Sequence, residues 1–131
     1  MEFTQAFVLH QRPYRETSFL LDVFTEDYGR LSLVARGMRQ NKRRHNNPLQ
    51  LFQPLWLNWF GRGDLLTLSK IETTSAPYWL QGHAALCGLY INELLVRLLT
   101  QQQAEPMVFE AYQKALDGLQ QADQAEQELR L

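Results

Sequence analysis

Residues 18–37 read SFLLDVFTEDYGRLSLVARG, and this stretch indicates β-structure in the first half of the chain. Ser18 to Phe24 is rich in β-branched and aromatic residues, which favour strands. Glu26 to Gly29 is a short turn whose glycine can adopt a positive φ. From Arg30 to Arg36, apolar residues at odd positions alternate with mostly polar or basic ones, the period of a strand with one buried face. The stretch predicts two antiparallel strands, the second of which ends at Gly37.

Three further runs have the length and composition of strands. Ala6 to Leu9 is the first, and Arg12-Pro13-Tyr14 is expected to end it because proline cannot donate a hydrogen bond to a sheet. Leu51 to Phe60 and Leu65 to Ile71 are joined by Gly61-Arg62-Gly63, a glycine-rich hairpin turn. Five short strands with tight turns and one long loop predict a small closed or partly open barrel over residues 1–75.

The hydrophobic period changes after residue 75. From His83 to Leu99, apolar residues cover nearly the whole circumference of a helix, which predicts a buried central helix. Pro106 begins a second helix that runs to about Gln120, because proline is permitted in a first helical turn. Asp123 with Glu126 resembles a capping box for a third helix that ends with the chain at Leu131. So short a helix needs tertiary support, so residues 76–131 are expected to be the truncated start of a helical domain.

Composition excludes several classes of protein. The chain has 131 residues, of which 45% are hydrophobic and 21% charged, an ordinary globular balance. Its single cysteine, Cys87, excludes an intramolecular disulfide and a thiolate zinc cluster, and three scattered histidines make a metal site unexpected. No secretory signal and no membrane-spanning stretch is present, so we expect a cytoplasmic protein without membrane association.

The net charge of −1 hides a strong asymmetry. Residues 1–75 carry ten basic and seven acidic side chains, whereas residues 76–131 carry three and seven. Between Tyr28 and Gly63 no residue is acidic and seven are basic, namely Arg30, Arg36, Arg39, Lys42, Arg43, Arg44 and Arg62. Basic side chains neutralise phosphates, so this segment favours DNA or RNA binding over its alternative, a solvated charged loop.

Trp56 is the candidate for stacking on a base. Alternation in the fourth strand places Leu55, Leu57 and Trp59 on the core face and Trp56 on the other, while Pro54 places the start of the strand at an edge or bulge. Trp56 is therefore either an exposed stacking platform or a contact with the helical domain, and packing against the helices is the favoured alternative.

An enzymatic function finds no support in the sequence. The chain lacks a phosphate-binding loop, a dinucleotide-binding glycine motif, a zinc-protease motif and a nucleophile elbow. Cys87 lies in the most apolar predicted helix, where a buried thiol stays protonated. We therefore expect a protein that is not an enzyme and that needs no cofactor.

Several short segments together resemble the bacterial RecO family of recombination mediators. These are Phe7-Val8-Leu9-His10, Arg12-Pro13, Glu16-Thr17-Ser18, Asp22-Val23-Phe24-Thr25-Glu26, Gly29-Arg30, Leu33-Val34-Ala35-Arg36-Gly37, Leu49-Gln50 with Phe52 and Pro54, and Leu89-Tyr90-Ile91-Asn92-Glu93-Leu94-Leu95. The resemblance extends to about residue 120 and implies an α+β chain, a five-stranded OB-fold barrel followed by an incomplete helical domain.

The resemblance also implies a function in DNA repair and recombination. Family members bind single- and double-stranded DNA, anneal complementary strands, and help to load RecA together with RecR and the single-stranded DNA-binding protein SSB. They use no nucleotide. The positions that match the family's DNA contacts are Arg36, Arg39 and Lys42-Arg43-Arg44, and nucleoid association in the bacterial cytoplasm follows. The family is longer, so the SSB site is expected in a later region that this chain lacks. The alternative is a protein-interaction module that docks a repair partner, with DNA binding secondary.

Overall fold

A computed structural model describes residues 3–37 and 49–129. Its elements are β1 (Thr4–Tyr14), β2 (Ser18–Thr25), β3 (Gly29–Ala35), β4 (Leu55–Phe60), β5 (Leu65–Thr73), α1 (Gly82–Leu98) and α2 (Pro106–Leu129). The strands close a barrel in the order β1-β2-β3-β5-β4. The predicted α+β architecture, a five-stranded OB-fold barrel followed by helices, is confirmed.

The barrel core is built by the alternation that the sequence predicts. In β3, Leu31, Leu33 and Ala35 are buried in the core, and in β4 the buried residues are Leu55, Leu57 and Trp59. All strand pairs are antiparallel except β3 with β5, which run parallel. The turn at Gly61-Arg62-Gly63 joins β4 to β5 as predicted, with positive φ at both glycines.

The expected end of the first strand at Pro13 is wrong. β1 continues to Tyr14, and Pro13 lies opposite Phe19 of β2. β1 pairs with β4 only at Thr4 to Ala6, so its second half has β2 alone as a neighbour. A proline is compatible with a strand at such an edge because no second ladder requires its missing N–H.

The fourth strand begins later than predicted, at Leu55 rather than Leu51. Phe52 has a φ of 63°, a left-handed conformation that interrupts an extended chain. The Phe52 side chain joins a cluster with the helices instead of the barrel core. Pro54 lies between this turn and the first residue of β4, because proline has no N–H to donate to a sheet.

The prediction of an α1 buried nearly all round is also wrong. Its buried residues are Ala84, Gly88 and Asn92, on one face. Four large apolar side chains of the helix are exposed, namely Leu86, Leu89, Tyr90 and Leu98, and Cys87 is half-buried. At the small Gly88 the backbone closely approaches Phe52 and Leu80, and the partly buried Ile91 and Leu95 pack against the same cluster as Phe52. Hydrophobic periodicity does not detect such a face.

A single helix, α2, replaces the predicted second and third helices. It runs without a break from Pro106 to Leu129, so Asp123 is an interior residue and not an N-cap. No glycine or proline follows Gly118, and the Gln-, Ala- and Glu-rich sequence favours continuation. Asp123 is buried on the same stripe as Phe109, Tyr112 and Leu116.

A second hydrophobic cluster joins the barrel to the helices. It contains Phe7, Leu9, Phe24 and Phe52 from the barrel side and Phe109, Tyr112 and Leu116 from α2. The Phe24 and Phe109 rings meet edge to face with centroids 5.2 Å apart, a geometry that aromatic pairs favour. The barrel and the helices therefore share one apolar interface.

One buried polar network lies at this interface. The Tyr112 hydroxyl donates to Asn92 Oδ1 at 2.6 Å, and Asn92 Nδ2 donates to the Leu9 carbonyl oxygen at 3.2 Å. Burial raises the pKa of Tyr112 well above its ordinary value because the phenolate would lose its hydration. The network thus connects α2, α1 and β1 through neutral groups. Across the described ranges, neither helix is long and apolar enough to cross a membrane.

Candidate nucleic-acid interface

The outer surface of the barrel has a covered part and an exposed part. Phe7, Leu9 and Phe24 belong to the cluster shared with the helices. Where β3 and β5 run side by side, Val34 and Thr67 are only partly buried, and Leu65 is 44% exposed. We call the outward residues Val34, Leu65 and Thr67, with Arg36 and Arg62 beyond them, the β3–β5 face.

Two of the predicted basic residues lie at opposite ends of this face. Arg36 is exposed immediately after β3, and Arg62 is exposed in the turn that precedes β5. Since β3 and β5 are parallel with Ser32 beside Leu65, the Arg62 turn lies toward the start of β3. The two guanidinium groups therefore flank a strip of apolar and hydroxyl side chains.

The turn that carries Arg62 is attached to the connection between the helices. Gln101 Nε2 donates to the Asp64 carbonyl oxygen at 2.6 Å, and Gln102 Nε2 donates to the Gly63 carbonyl oxygen at 2.7 Å. These bonds use backbone acceptors of the turn and leave the Arg62 side chain exposed. The glutamine-rich segment thus positions the turn.

Arg30, on the outward side of β3, has a different environment from Arg36, which is exposed immediately after the strand. Its side chain is 16% exposed, and Nη1 lies 3.5 Å from Asp22 Oδ1. Its Nε donates to the Leu99 carbonyl oxygen at 3.1 Å. These contacts direct the guanidinium into the junction with the helices, and DNA contact by Arg30 stays a prediction that competes with them.

Arg39, Lys42, Arg43 and Arg44 lie outside the described residues, in the segment 38–48 between β3 and Leu49. Arg36 is the last basic residue described before this segment, and only Gly37, with a φ of 70°, follows it. The DNA-binding role of the four residues stays a prediction.

Trp56 lies on the outer side of β4 and is 45% exposed. Its ring centroid is 6.4 Å from that of Phe3, which is 37% exposed. Trp56 and Phe3 are not part of the aromatic cluster shared with the helices. The sequence favours packing of Trp56 against the helices over a role as a stacking platform. Trp56 is instead exposed beside Phe3, and base stacking stays a prediction.

Tyr14 and Arg15 are not among the site residues predicted from the sequence. They belong to a cavity of about 410 Å³ in the barrel wall, the Tyr14 groove, lined among others by Tyr14, Arg15, Thr17, Val34, Arg36 and Thr67. Arg15 Cζ lies 5.3 Å from the centre of the Tyr14 ring, within the range of a cation–π contact. The available signal was the position of Arg15 in the β1–β2 turn, because OB-folds bind ligands with this loop.

The charges near this surface are mostly positive but not exclusively so. Glu16 is exposed in the β1–β2 turn beside Arg15, and Asp64 is exposed next to Arg62. Among the described residues that line the Tyr14 groove there is no carboxylate. In the same described part of the chain, no cluster of three or more histidine, cysteine or acidic side chains could hold a metal ion.

Comparison with known proteins identifies a family that matches both parts of the chain. Residues 1–77 match the family described as "Recombination protein O N terminal", and residues 80–131 match "Recombination protein O C terminal". The chain is similar to a protein of Nitrosococcus oceani named "DNA repair protein RecO", with 46% identity over 126 residues, 96% of this chain and 51% of the relative.

Two other relatives carry the same name. The protein of Coxiella burnetii strain CbuG_Q212 is 45% identical over 114 residues, which cover 87% of this chain and 49% of the relative. That of Photobacterium profundum is 44% identical over 126 residues, which cover 96% of this chain and 53% of the relative. The chain thus spans about half the length of the curated relatives that it matches.

Proposed function

Because the chain belongs to the RecO family, we propose that it is a DNA-binding protein of recombinational repair whose barrel contacts the phosphate backbone of single- and double-stranded DNA. The observation that carries this proposal is the β3–β5 face, with exposed Arg36 and Arg62 at opposite ends. Arginine donates charge-assisted hydrogen bonds to phosphate oxygens, and such bonds need no sequence recognition.

The proposal also includes the basic segment that follows Arg36 in the sequence. Arg39, Lys42, Arg43 and Arg44 follow Arg36 closely in the sequence, and no acidic residue interrupts them. We propose that they bind further phosphates beside Arg36. Arg30 is assigned a smaller part, because its guanidinium already contacts Asp22 and Leu99.

The wider activity follows as part of the same proposal. The protein is a non-catalytic mediator that anneals complementary strands and assists RecA loading with RecR and SSB, in the bacterial cytoplasm at the nucleoid. Residues 1–75 are the DNA-binding domain and residues 76–131 belong to the helical domain. The SSB contact is assigned to the part of the family's length that this chain does not span.

A salt titration tests the DNA-binding proposal. Anisotropy of a fluorescent single strand is measured at several salt concentrations for the unchanged protein and for the variant Arg39→Ala, Lys42→Ala, Arg43→Ala, Arg44→Ala. The unchanged protein should lose affinity steeply with salt, and the variant should show a smaller slope, by about 0.7 for each phosphate that is no longer neutralised. An unchanged affinity and slope in the variant would falsify the assignment of this segment.

A second candidate function is a protein-interaction module that docks RecR or another repair partner. Exposure of Trp56 beside Phe3 favours it, because aromatic residues are enriched at protein interfaces. Pull-down of RecR that survives neutralisation of the basic segment but is abolished in Trp56→Ala supports docking as the main function. Disappearance of both DNA and partner binding on neutralisation alone supports the first proposal.

A further inference from the structure

The Tyr14 groove lies where an OB-fold presents its ligand surface. It is bordered by the β1–β2 turn, by the end of β3 and by the start of β5. OB-folds bind oligonucleotides with the face of their second and third strands and with the loops between strands 1 and 2 and between strands 4 and 5. The volume, about 410 Å³, lies within the range of roughly 300–1,000 Å³ found for small-molecule sites.

The lining of the groove suits a phosphate group. Arg15 and Arg36 provide two guanidinium groups, and Thr17, Ser18 and Thr67 provide hydroxyl donors. Phosphate oxygens accept hydrogen bonds from these side chains, and arginine supplies paired donors in a fixed geometry. The described lining residues include no carboxylate that would repel an anion.

The Arg15 side chain is restrained before any ligand arrives. Its backbone has a φ of 55°, a left-handed conformation that non-glycine residues seldom adopt. Its guanidinium lies over the Tyr14 ring. A planar cation held on an aromatic ring loses less freedom on binding than a mobile side chain.

The groove also contains apolar surface for a base. Tyr14, Val34 and Leu65 line it, and Leu65 is 44% exposed. Unpaired bases stack on aromatic rings and on arginine planes, whereas the bases of a duplex are already stacked on one another. A concave site of this composition therefore fits a flexible single strand better than a rigid duplex.

We propose that the Tyr14 groove binds one nucleotide of an unpaired DNA strand, with its phosphate between Arg15 and Arg36 and its base against Tyr14 and Leu65. This inference rests on the proposed DNA-binding function. It adds the site that makes the protein prefer single strands to duplex, a preference to which the phosphate contacts of the β3–β5 face contribute little.

Arg15→Gly tests the groove directly, because glycine accepts the positive φ while the guanidinium is removed. Binding is measured by anisotropy with a fluorescent oligothymidine and with a duplex of equal length. We expect Arg15→Gly to weaken oligothymidine binding about tenfold and duplex binding less than about twofold. Lys114→Ala, which removes one charge from α2, is the matched control and should change neither.

Two more variants distinguish the loss of a DNA contact from the loss of the folded structure. Arg15→Lys retains the charge and should recover part of the oligothymidine affinity, while Tyr14→Ala should lower that affinity as Arg15→Gly does. Equal losses of affinity for oligothymidine and duplex, or no loss in Arg15→Gly while the unchanged protein binds both, overturn the groove but not the proposed function. If the unchanged protein binds neither oligothymidine nor duplex, both the nucleotide site in the groove and the proposed DNA-binding function are contradicted.

Discussion

Nε of Arg30 donates a hydrogen bond to the carbonyl oxygen of Leu99 at 3.1 Å, which joins the start of β3 to the residue that ends α1. The Gln102 N–H returns a bond to the Arg30 carbonyl oxygen at 2.8 Å. Together with the ion pair to Asp22, these bonds link the barrel to the helical part of the chain through Arg30. An arginine in the basic half of the chain thus contributes to stability.

Arg30→Ala should therefore destabilise the fold. It leaves the partly buried Asp22 without its cation and the Leu99 carbonyl without its side-chain donor, so we expect a decrease of about 1–3 kcal/mol in the free energy of unfolding. Urea denaturation measures this decrease. Arg36→Ala, at an exposed position, is the control and should cost less than about 0.5 kcal/mol. Equal stabilities for the two variants would contradict the role of Arg30.

Close packing between α1 and the barrel depends on Gly88. A Cβ at this position would lie 2.7 Å from Cζ of Phe52 and 3.0 Å from Cδ1 of Leu80. Gly88→Ala should cost about 1–2 kcal/mol despite the higher helix propensity of alanine. Gly118→Ala is the matched control, because a Cβ there meets no atom of the described residues within 4 Å, and it should be neutral or stabilising. Thermal unfolding of both variants tests this expectation. A Gly88→Ala variant more stable than the unchanged protein would contradict close packing at this position.

The connection between the helices requires a glycine at position 29. Gly29 has a φ of 75°, and a Cβ there would overlap the backbone carbonyl of Gln103. Gly29→Ala should cost about 3 kcal/mol or more, because backbone cannot rotate away as a side chain does. Gly37→Ala has a similar φ, and a Cβ there meets no described residue within 4 Å, so only about 1–2 kcal/mol is expected. Similar costs for the two variants, measured by urea denaturation, would mean that Gln103 does not constrain Gly29.

Tyr112 should make the free energy of unfolding decrease as the pH rises above 10. Burial raises the pKa of Tyr112 in the folded protein above its ordinary value of 10.0. Its contribution is therefore complete below pH 10 and is lost as pH rises further, by up to about 1.4 kcal/mol per pH unit. Tyr78, whose pKa is also raised, first by burial and then by Asp117, adds a slope of the same sign.

Tyr112→Phe isolates this effect. The variant should lose about 1 kcal/mol at neutral pH, because Asn92 Oδ1 loses its donor, and its stability should fall less steeply above pH 10. Urea denaturation between pH 8 and pH 11 gives both quantities. If the variant and the unchanged protein have parallel profiles, Tyr112 is not the group that titrates.

Alternation along the strands could be predicted from the sequence because each strand has one buried face. The β4 pattern of Leu55, Leu57 and Trp59 inside and Trp56 outside needed only the period of two. The bulge between Val8 and His10, which shifts the register of β1 against β2, has no comparable signal. Pro13 is tolerated because β4 is short, which depends on pairing that the local sequence does not contain.

The helical part was harder to predict for a physical reason. Apolar content correctly indicated helices, but which face of α1 packs depends on the space that Gly88 leaves for Phe52. The Asp123 and Glu126 spacing fits a cap equally well as the interior of a longer helix. Tertiary contacts determine which of the two local structures forms.

The candidate site could likewise be predicted where it depends on local alternation, but not where it depends on contacts between distant residues. Alternation along β3 places Arg30 on the outward side as predicted, and Arg36 is exposed immediately after the strand. Their different surroundings follow from Leu99, which is distant in the sequence and close in space to Arg30 alone. Arg15 was missed because its only signal in the sequence is its position in the turn between the first two strands, and its neighbours in the Tyr14 groove, Val34 and Thr67, are distant in the sequence.

The proposed function depends most on binding of the DNA backbone by Arg36 and Arg62 of the β3–β5 face. The most direct measurement is the salt dependence of oligothymidine affinity for the double variant Arg36→Ala, Arg62→Ala. The double variant Arg97→Ala, Lys114→Ala removes the same charge from helical positions where both cations form exposed ion pairs, and it serves as control. We predict weaker binding and a salt slope smaller by roughly 1.4 for the first variant alone. Equal affinities and slopes for both double variants would contradict this proposal.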